Sequence, residues 1–405
     1  MSPFRSTAFR WLCSATAAAN GAQQMERTAT AWLALQTGGG AFAVGLVFAA
    51  RPLPSLLFGL ASGTVADRVD RRRHLLIVAA AACALMAGFG VLVAAGSVAV
   101  WQVIALSFAA GCVQVSDTPA RQALVVDTIT RETAPRALAL AALVSRGAGA
   151  VGAVAAGALI VQFGVAQCYG VVATLYGIGG LVLTALRVPQ RERGTVALPP
   201  FGQALRGAVR LITGVPAVGT LMLSGIAAEI LAFSYQSALP VFSRDVLRVS
   251  AEGLGTMNAA SAIGGAVALL LLATVAGRVR RELLLGAAFA TFGASLVALS
   301  ITRDVRAAVA VLVITGVCAG TVDNLQQTLL QLAVPEEQRG RAVGIWTLGV
   351  GSAPVGHLET GTLIATLGAP AALLINGTLA TATAVILLIR APGLRRKVPV
   401  SPGAD

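Results

Sequence analysis

The residues of this chain able to do chemistry are ionisable side chains set inside long apolar runs, and they are few. Asn20, Gln23, Gln24 and Arg27 recur at helical spacing within residues 9–36, and Glu26 and Thr30 widen that polar stripe on one side. Glu229 holds a comparable place in residues 216–242, followed by Tyr235 and Gln236. Arg51 and Arg146 are single bases in apolar segments, and His357 and Glu359 stand two apart in residues 340–366. Each charge costs roughly 2.5–3.5 kcal/mol at the centre of a bilayer helix, so each needs a partner or a water-filled cavity. A carboxylate so placed can take up and release a proton, and a base can attract an anionic group or balance a buried acid. Glu26 is the first candidate for a proton-coupling carboxylate and Glu229 the second, a hydrated or paired glutamate being the plainer alternative for both. His357 and Glu359 point in different directions on a helix, which rules out a metal site on spacing and leaves a proton relay for either.

The elements that must position these groups are membrane helices. The chain has 405 residues, 56% of them hydrophobic and 12% charged, about half the charge of an ordinary soluble protein. Apolar runs long enough to cross a hydrocarbon layer as helices are predicted at 9–36, 41–63, 74–96, 98–122, 136–162, 166–187, 216–242, 253–276, 282–301, 307–333, 340–366 and 369–390. The Pro- and Arg-rich stretch 188–215 divides them six and six, and part of it reads as an amphipathic surface helix. The expected organisation is an N-terminal six-helix bundle over 1–187, a cytoplasmic linker over 188–215, a C-terminal six-helix bundle over 216–390 and a cytoplasmic tail over 391–405. The five cysteines contain no CxxC pair and read as small buried hydrophobes.

The net charge of +13 belongs to topology and not to nucleic acid. Arginines gather at 68–73, 131–136, 187–210, 278–281, 339–341 and 390–396, whereas the alternate loops 37–40, 94–100 and 163–167 carry none. This asymmetry places both termini in the cytoplasm.

Internal repetition supports the division. Residues 64–72 (TVADRVDRR) correspond to 274–282 (TVAGRVRRE), 151–160 (VGAVAAGALI) to 355–364 (VGHLETGTLI), and Asp117 to Asp323, each pair about half a chain apart. A duplicated membrane bundle of this size is the architecture of secondary transporters.

Gly63-Thr64-Val65-Ala66-Asp67-Arg68-Val69-Asp70-Arg71-Arg72 resembles the loop between the second and third spans of the major facilitator superfamily. Trp32-Leu33-Ala34-Leu35, Arg51-Pro52-Leu53-Pro54, Asp117-Thr118-Pro119-Ala120-Arg121-Gln122-Ala123 and Gln338-Arg339-Gly340-Arg341 resemble its bacterial branch that exports drugs and siderophores. The resemblance covers about residues 4–390. It implies an all-α fold of twelve transmembrane helices in two pseudo-symmetric bundles, a central cavity, alternating access and proton-driven export across the inner membrane. The chain departs from the family in having Gly152-Ala153 where the fifth span often carries Gly-Pro, and Gly277 where the first loop has Asp67.

In that frame the stripe Gln23, Glu26, Arg27 faces the cavity, together with Arg51, Arg146, Asp117, Asp323, Gln327, Tyr235, His357 and Glu359 as candidate cavity or substrate residues. Gly63, Asp67, Arg68, Asp70, Arg71, Arg72, Arg121 and Arg341 form a candidate cytoplasmic gate. Asp67 could accept from the amides at the start of the eleventh helix, or pair with Arg121, and so bridge the bundles. The expected partners are a small-molecule substrate, protons and lipid, with the protein a monomer and no cofactor, metal or nucleic acid. Nutrient import and lysophospholipid flipping are the alternatives within the fold. An enzyme is disfavoured: no HExxH or GxSxG occurs, and Lys397 is the sole lysine, which excludes a GxxxxGK phosphate loop.

Overall fold

The computed structural model describes residues 3, 6–57, 70–130, 133–186, 201–275, 279–335 and 338–390. No strand occurs among them. The helices are α1 (Thr7–Gln36), α2 (Gly40–Leu57), α3 (Arg71–Ala94), α4 (Val100–Asp127), α5 (Ala134–Phe163) and α6 (Val165–Thr184), then α7 (Pro216–Val246), α8 (Ala251–Val275), α9 (Arg281–Ile301) and α10 (Val305–Leu332). The eleventh, α11, is in two pieces, Arg339–Val350 and Ala353–Leu367, and α12 spans Ala369–Arg390.

Ten of the described helices are long and apolar enough to cross a membrane. The two others expected from the sequence fall short for visible reasons. Helix α1 is 30 residues long but carries the polar stripe, and α11 is interrupted at Gly351–Ser352, so its pieces have 12 and 15 residues. The predicted boundaries that fall on described residues lie within a few residues of those observed, the largest difference being α4, which runs on to Asp127; the predicted end of the second span, at residue 63, lies outside the described residues. A further helix, Phe201–Gly214, lies in the linker and packs on the start of α7 and on the first piece of α11, with Val209 and Arg210 exposed.

Local chemistry sets the ends. The Ser6 hydroxyl accepts from the Phe9 amide at 3.3 Å to start α1, and Asp70 accepts from the Arg73 amide at 3.0 Å to start α3. Helix α5 passes into α6 through Gly164 at φ +92°, and α11 into α12 through Gly368 at φ +86°. Only glycine takes that conformation without strain, and the two hinges fall at matching places in the sequence repeat.

In the first half, α1 packs along α5 and α6, α3 along α6, and α2 against α1 and α4. In the second, α8 packs on α10, and α9 on α10 and α12. The halves meet chiefly where α5 crosses α8 and α2 crosses α11. Small residues permit this, because lipid gives apolar helices no solvent-driven reason to associate and close dispersion contact must do so. A Cβ built on Gly45 would stand 2.8 Å from both Gly361 Cα and the His357 carbonyl oxygen, and one on Gly157 would stand 2.6 Å from the Ala251 oxygen. Both crossings lie toward the end of the molecule where α1 and α7 finish, called distal below. The other end holds the starts of α1 and α3 and the end of α4, joined by a Ser6 Oγ to Thr128 carbonyl hydrogen bond at 3.3 Å.

Candidate functional site

A polar cluster occupies the middle of the first half. Glu26, wholly buried on α1, faces Arg51 at the turn within α2. Arg51 Nη1 stands 2.7 Å from Oε1 and 2.6 Å from Oε2. Arg51 Nη2 donates to Gln114 Oε1 on α4 at 2.8 Å, and Gln23 Nε2 donates to the same oxygen at 2.6 Å. Gln114 Nε2 then donates to Tyr176 OH on α6 at 3.0 Å. On the other side, Thr30 Oγ1 donates to Glu26 Oε1 at 3.2 Å and lies 2.8 Å from Tyr169 OH. With its one proton committed to Glu26, Thr30 takes Tyr169 as its donor. Four helices therefore converge on one neutral carboxylate–guanidinium pair. Pro52, which lacks an amide proton, helps to turn α2 where Arg51 must leave it.

Arg27 follows Glu26 in sequence but belongs to another face. It has no carboxylate or hydrogen-bond partner among the described residues, and its Nε is fully enclosed. It lies within electrostatic range of His357 on α11 of the other half. His357 is 8% exposed, packs against the Phe48 ring at 5.6 Å and leaves Nδ1 without a partner.

The second half is arranged differently. Glu229 sits in a π-helical segment, Ala228–Phe233, that interrupts α7; such segments widen a helix by one residue and recur at functional sites. It borders a small cleft with Gly225, Gln326, Trp346 and Gly349, and no ion pair or hydrogen bond reaches it among the described residues. Asp323 lies 4.0 Å from Arg146, which reaches across from α5 and rests over Gly265 of α8. Glu359 accepts from Asn376 at 3.0 Å and from Thr360 at 3.1 Å. Tyr235 OH lies 2.7 Å from Ser261 Oγ, and its ring packs on Phe292. Gln327 is half-buried beside Gln326, whose amide reaches Ser224 at 3.5 Å. Asp117 and Asp323, equivalent in the repeat, are thus held in unlike ways: Asp117 accepts from Arg121 on its own helix at 2.7 Å, and Asp323 faces the opposite half.

Of the candidate gate residues, Gly63, Asp67 and Arg68 lie outside the described residues, as does the side chain of Arg341. The contacts described for the others lie within the first half. Asp70 caps α3, Arg71 donates to Asp127 at 2.7 Å, and Arg72 donates to the Leu183 carbonyl at 2.9 Å. At the distal end Arg244 donates to the Leu35 carbonyl at 3.1 Å, and nearer the middle Asn258 donates to Thr28 at 3.2 Å, both across the halves. Trp32 lines a distal groove of about 500 Å³ with Gln36, Gln167 and Ser250.

Gln114, Tyr169, Tyr176, Asn258 and Arg244 were not singled out from the sequence. Tyr169 and Tyr176 are two helical turns apart on one face of α6, and Gln114 is a lone amide in an apolar run, which are signals available without a structure.

A family model described as transmembrane secretion effector matches residues 1–399. The multidrug efflux pump Tap of Mycobacterium tuberculosis is 26% identical over 384 residues, covering 92% of this chain and 90% of Tap. The enterobactin exporter EntS of Salmonella paratyphi A is 29% identical over 285 residues, covering 68% of this chain and 66% of EntS. Among solved structures, the nucleoside transporter NupG superposes with TM-score 0.74 at 11% identity, covering 95% of this chain and 98% of NupG. A bacterial homolog of the human lysosomal transporter Spinster, inward-facing and unoccupied, superposes with TM-score 0.67 at 15% identity, covering 96% of each chain.

Proposed function

We propose, from the premise that the chain belongs to the transmembrane secretion effector family of the major facilitator superfamily, that it exports a small molecule from the cytoplasm in exchange for protons. Members of this family and the relatives above are transporters and not enzymes. The observation that carries the direction is the match to an efflux pump over 92% of the chain.

The proposed machine is a monomer of twelve transmembrane helices in two six-helix bundles, both termini in the cytoplasm. The distal end is then periplasmic, and the α5–α8 and α2–α11 crossings, with Arg244–Leu35 and Asn258–Thr28, seal it in an inward-facing state. Alternating access opens this seal and closes the basic end, where Asp67 and its neighbouring arginines gate.

Glu26 and Glu229 are the candidate coupling carboxylates of this reading, and their different surroundings support different tasks. Glu26 already has a cation, so its proton would have to displace Arg51 and disturb Gln114 and Tyr176. Glu229 has no competing cation, so a proton can come and go there while the local packing persists. We assign the exchanged proton to Glu229, and to the Glu26–Arg51 pair the task of holding α1, α2, α4 and α6 of the first half together.

The test is accumulation of dyes, antibiotics and siderophores in an efflux-deficient host, with and without an uncoupler, at matched membrane expression. Lower accumulation of a compound, abolished by uncoupler and by Glu229→Gln, is the expected result. If no compound responds, export is wrong and uptake or lysophospholipid movement takes its place. If the uncoupler acts and Glu229→Gln does not, the proton site lies elsewhere.

A further inference from the structure

Among the described residues, Glu26 and Asp117 of the first half each have a base, but the reverse does not hold. Glu26 is cancelled by Arg51, and Asp117 by Arg121. In the second half, Asp323 faces Arg146 and Glu359 is held by Asn376 and Thr360. Arg27, half-buried, has no ion-pair or hydrogen-bond partner of its own among the described residues: its Nε is enclosed and unpartnered, and the nearby Glu26 carboxylate is already held by Arg51. An unpaired interior charge is strongly unfavourable unless something supplies the opposite sign. His357 leaves a second unpartnered nitrogen, Nδ1, while the residue is more than nine-tenths buried. These two residues come from opposite halves and are brought toward each other by α2, whose Phe48 packs on His357 and whose Arg51, one turn further, holds Glu26 beside Arg27 in sequence. Arg27 also lies within electrostatic range of Arg51, Glu26 and Tyr176, and the His357 imidazole lies 5.6 Å from the Phe48 ring.

We infer that Arg27 and His357 form an anion-binding subsite for a carboxylate of the transported molecule, which makes the substrate an organic acid or a compound with a carboxylate arm. The guanidinium supplies charge and a planar fork suited to a carboxylate, and the imidazole Nδ1, in its N–H tautomer, supplies a neutral donor from the other side. This rests on the transport reading for its purpose but not for its chemistry.

The placement links binding to conformation. His357 lies on the stretch of α11 whose backbone touches α2, since its own carbonyl is among the atoms a Cβ on Gly45 would strike. A carboxylate held by both residues therefore bridges the halves at the layer that seals the distal end. When α2 and α11 separate there, the anion keeps one partner and loses the other. Its affinity falls as the distal side opens, which is the direction an exporter requires.

The experiment measures binding directly. The full-length protein in nanodiscs of neutral lipid is titrated into fluorescein and, separately, into fluorescein methyl ester, which lacks the carboxylate, with fluorescence anisotropy as the readout. Thermal unfolding of each variant is recorded in parallel. Wild type is expected to bind fluorescein about 10-fold more tightly than the ester, the worth of one hydrogen bond to a charged group. Arg27→Gln should remove that preference while leaving the unfolding temperature equal or higher, because it deletes a charge that has no partner. Arg27→Lys should keep most of the preference, and His357→Leu should lose part of it.

The inference is overturned if wild type does not favour the acid over the ester, or if Arg27→Gln leaves the preference intact. It is overturned equally if Arg27→Gln lowers the unfolding temperature while Arg27→Lys does not, since that would make Arg27 a structural cation. Failure of the export reading would appear elsewhere, as unchanged accumulation in cells by a protein that still distinguishes the acid from the ester in nanodiscs.

Discussion

Glu26 and Glu229 differ in what surrounds them, and the difference predicts opposite consequences for the same substitution. Removing one member of a buried ion pair strands the other, which typically costs about 3–5 kcal/mol. Glu26→Gln should therefore lower the unfolding temperature in detergent markedly. The double substitution Glu26→Gln/Arg51→Gln should recover much of that loss, because no charge then remains without a partner. Glu229→Gln deletes no ion pair or hydrogen bond among the described residues and should unfold within a degree or two of wild type, while abolishing uncoupler-sensitive transport. Similar destabilisation by both substitutions would contradict the division of tasks between them.

At the scale of elements, the α2–α11 crossing depends on two glycines meeting backbone to backbone. A methyl group on Gly45 would sit 2.8 Å from Gly361 Cα, with no flexible side chain to give way, so Gly45→Ala must push the helices apart. The expected effect is a looser distal seal. A cysteine placed at Leu35, in a background without the five native cysteines, should react several-fold faster with a membrane-impermeant maleimide added from outside when Gly45→Ala is present. An unchanged rate would mean that the crossing is not the seal. Helix α7 carries a different device. Its π segments, Ala228–Phe233 and Phe242–Val246, flank Pro240, so the helix bearing Glu229 and Arg244 is irregular at both points where function is proposed.

For the whole molecule, the decisive feature is the contrast between the two ends. Basic side chains crowd one end, where Arg71 and Arg72 tie α3 to the ends of α4 and α6; at the other, Arg244 ties the second half to Leu35 of the first. A fluorescent-protein fusion at the C-terminus should glow and an alkaline phosphatase fusion there should be inactive; the reverse would invert the proposed topology and with it the direction of transport. Midway, Arg146 and Asp323 are 35% and 40% exposed and 4.0 Å apart. An ion pair of that kind contributes only about 0–1 kcal/mol. Asp323→Asn should leave the unfolding temperature nearly unchanged while shifting the balance between inward- and outward-facing states, read by the same cysteine at Leu35.

Composition and periodicity alone determined that this chain is helical and membrane-embedded, because lipid forbids unsatisfied backbone and forces long apolar runs into helices. The repeat placed matching segments half a chain apart, and the structure puts the glycine hinges Gly164 and Gly368 at matching places within it. The cost of charge in hydrocarbon singled out Glu26, Arg27, Arg51, Glu229 and His357 before any coordinates. Which of them meet was decided only by tertiary structure. Glu26 and Arg51 are 25 residues apart on separate helices, and no spacing rule connects them. Gln114, Tyr169 and Tyr176 matter because α4 and α6 deliver them to the same point, and Arg27 has no partner among the described residues because the neighbouring Glu26 is taken by Arg51. Sequence records which groups are costly to bury, and packing alone decides which of those costs are met by a partner.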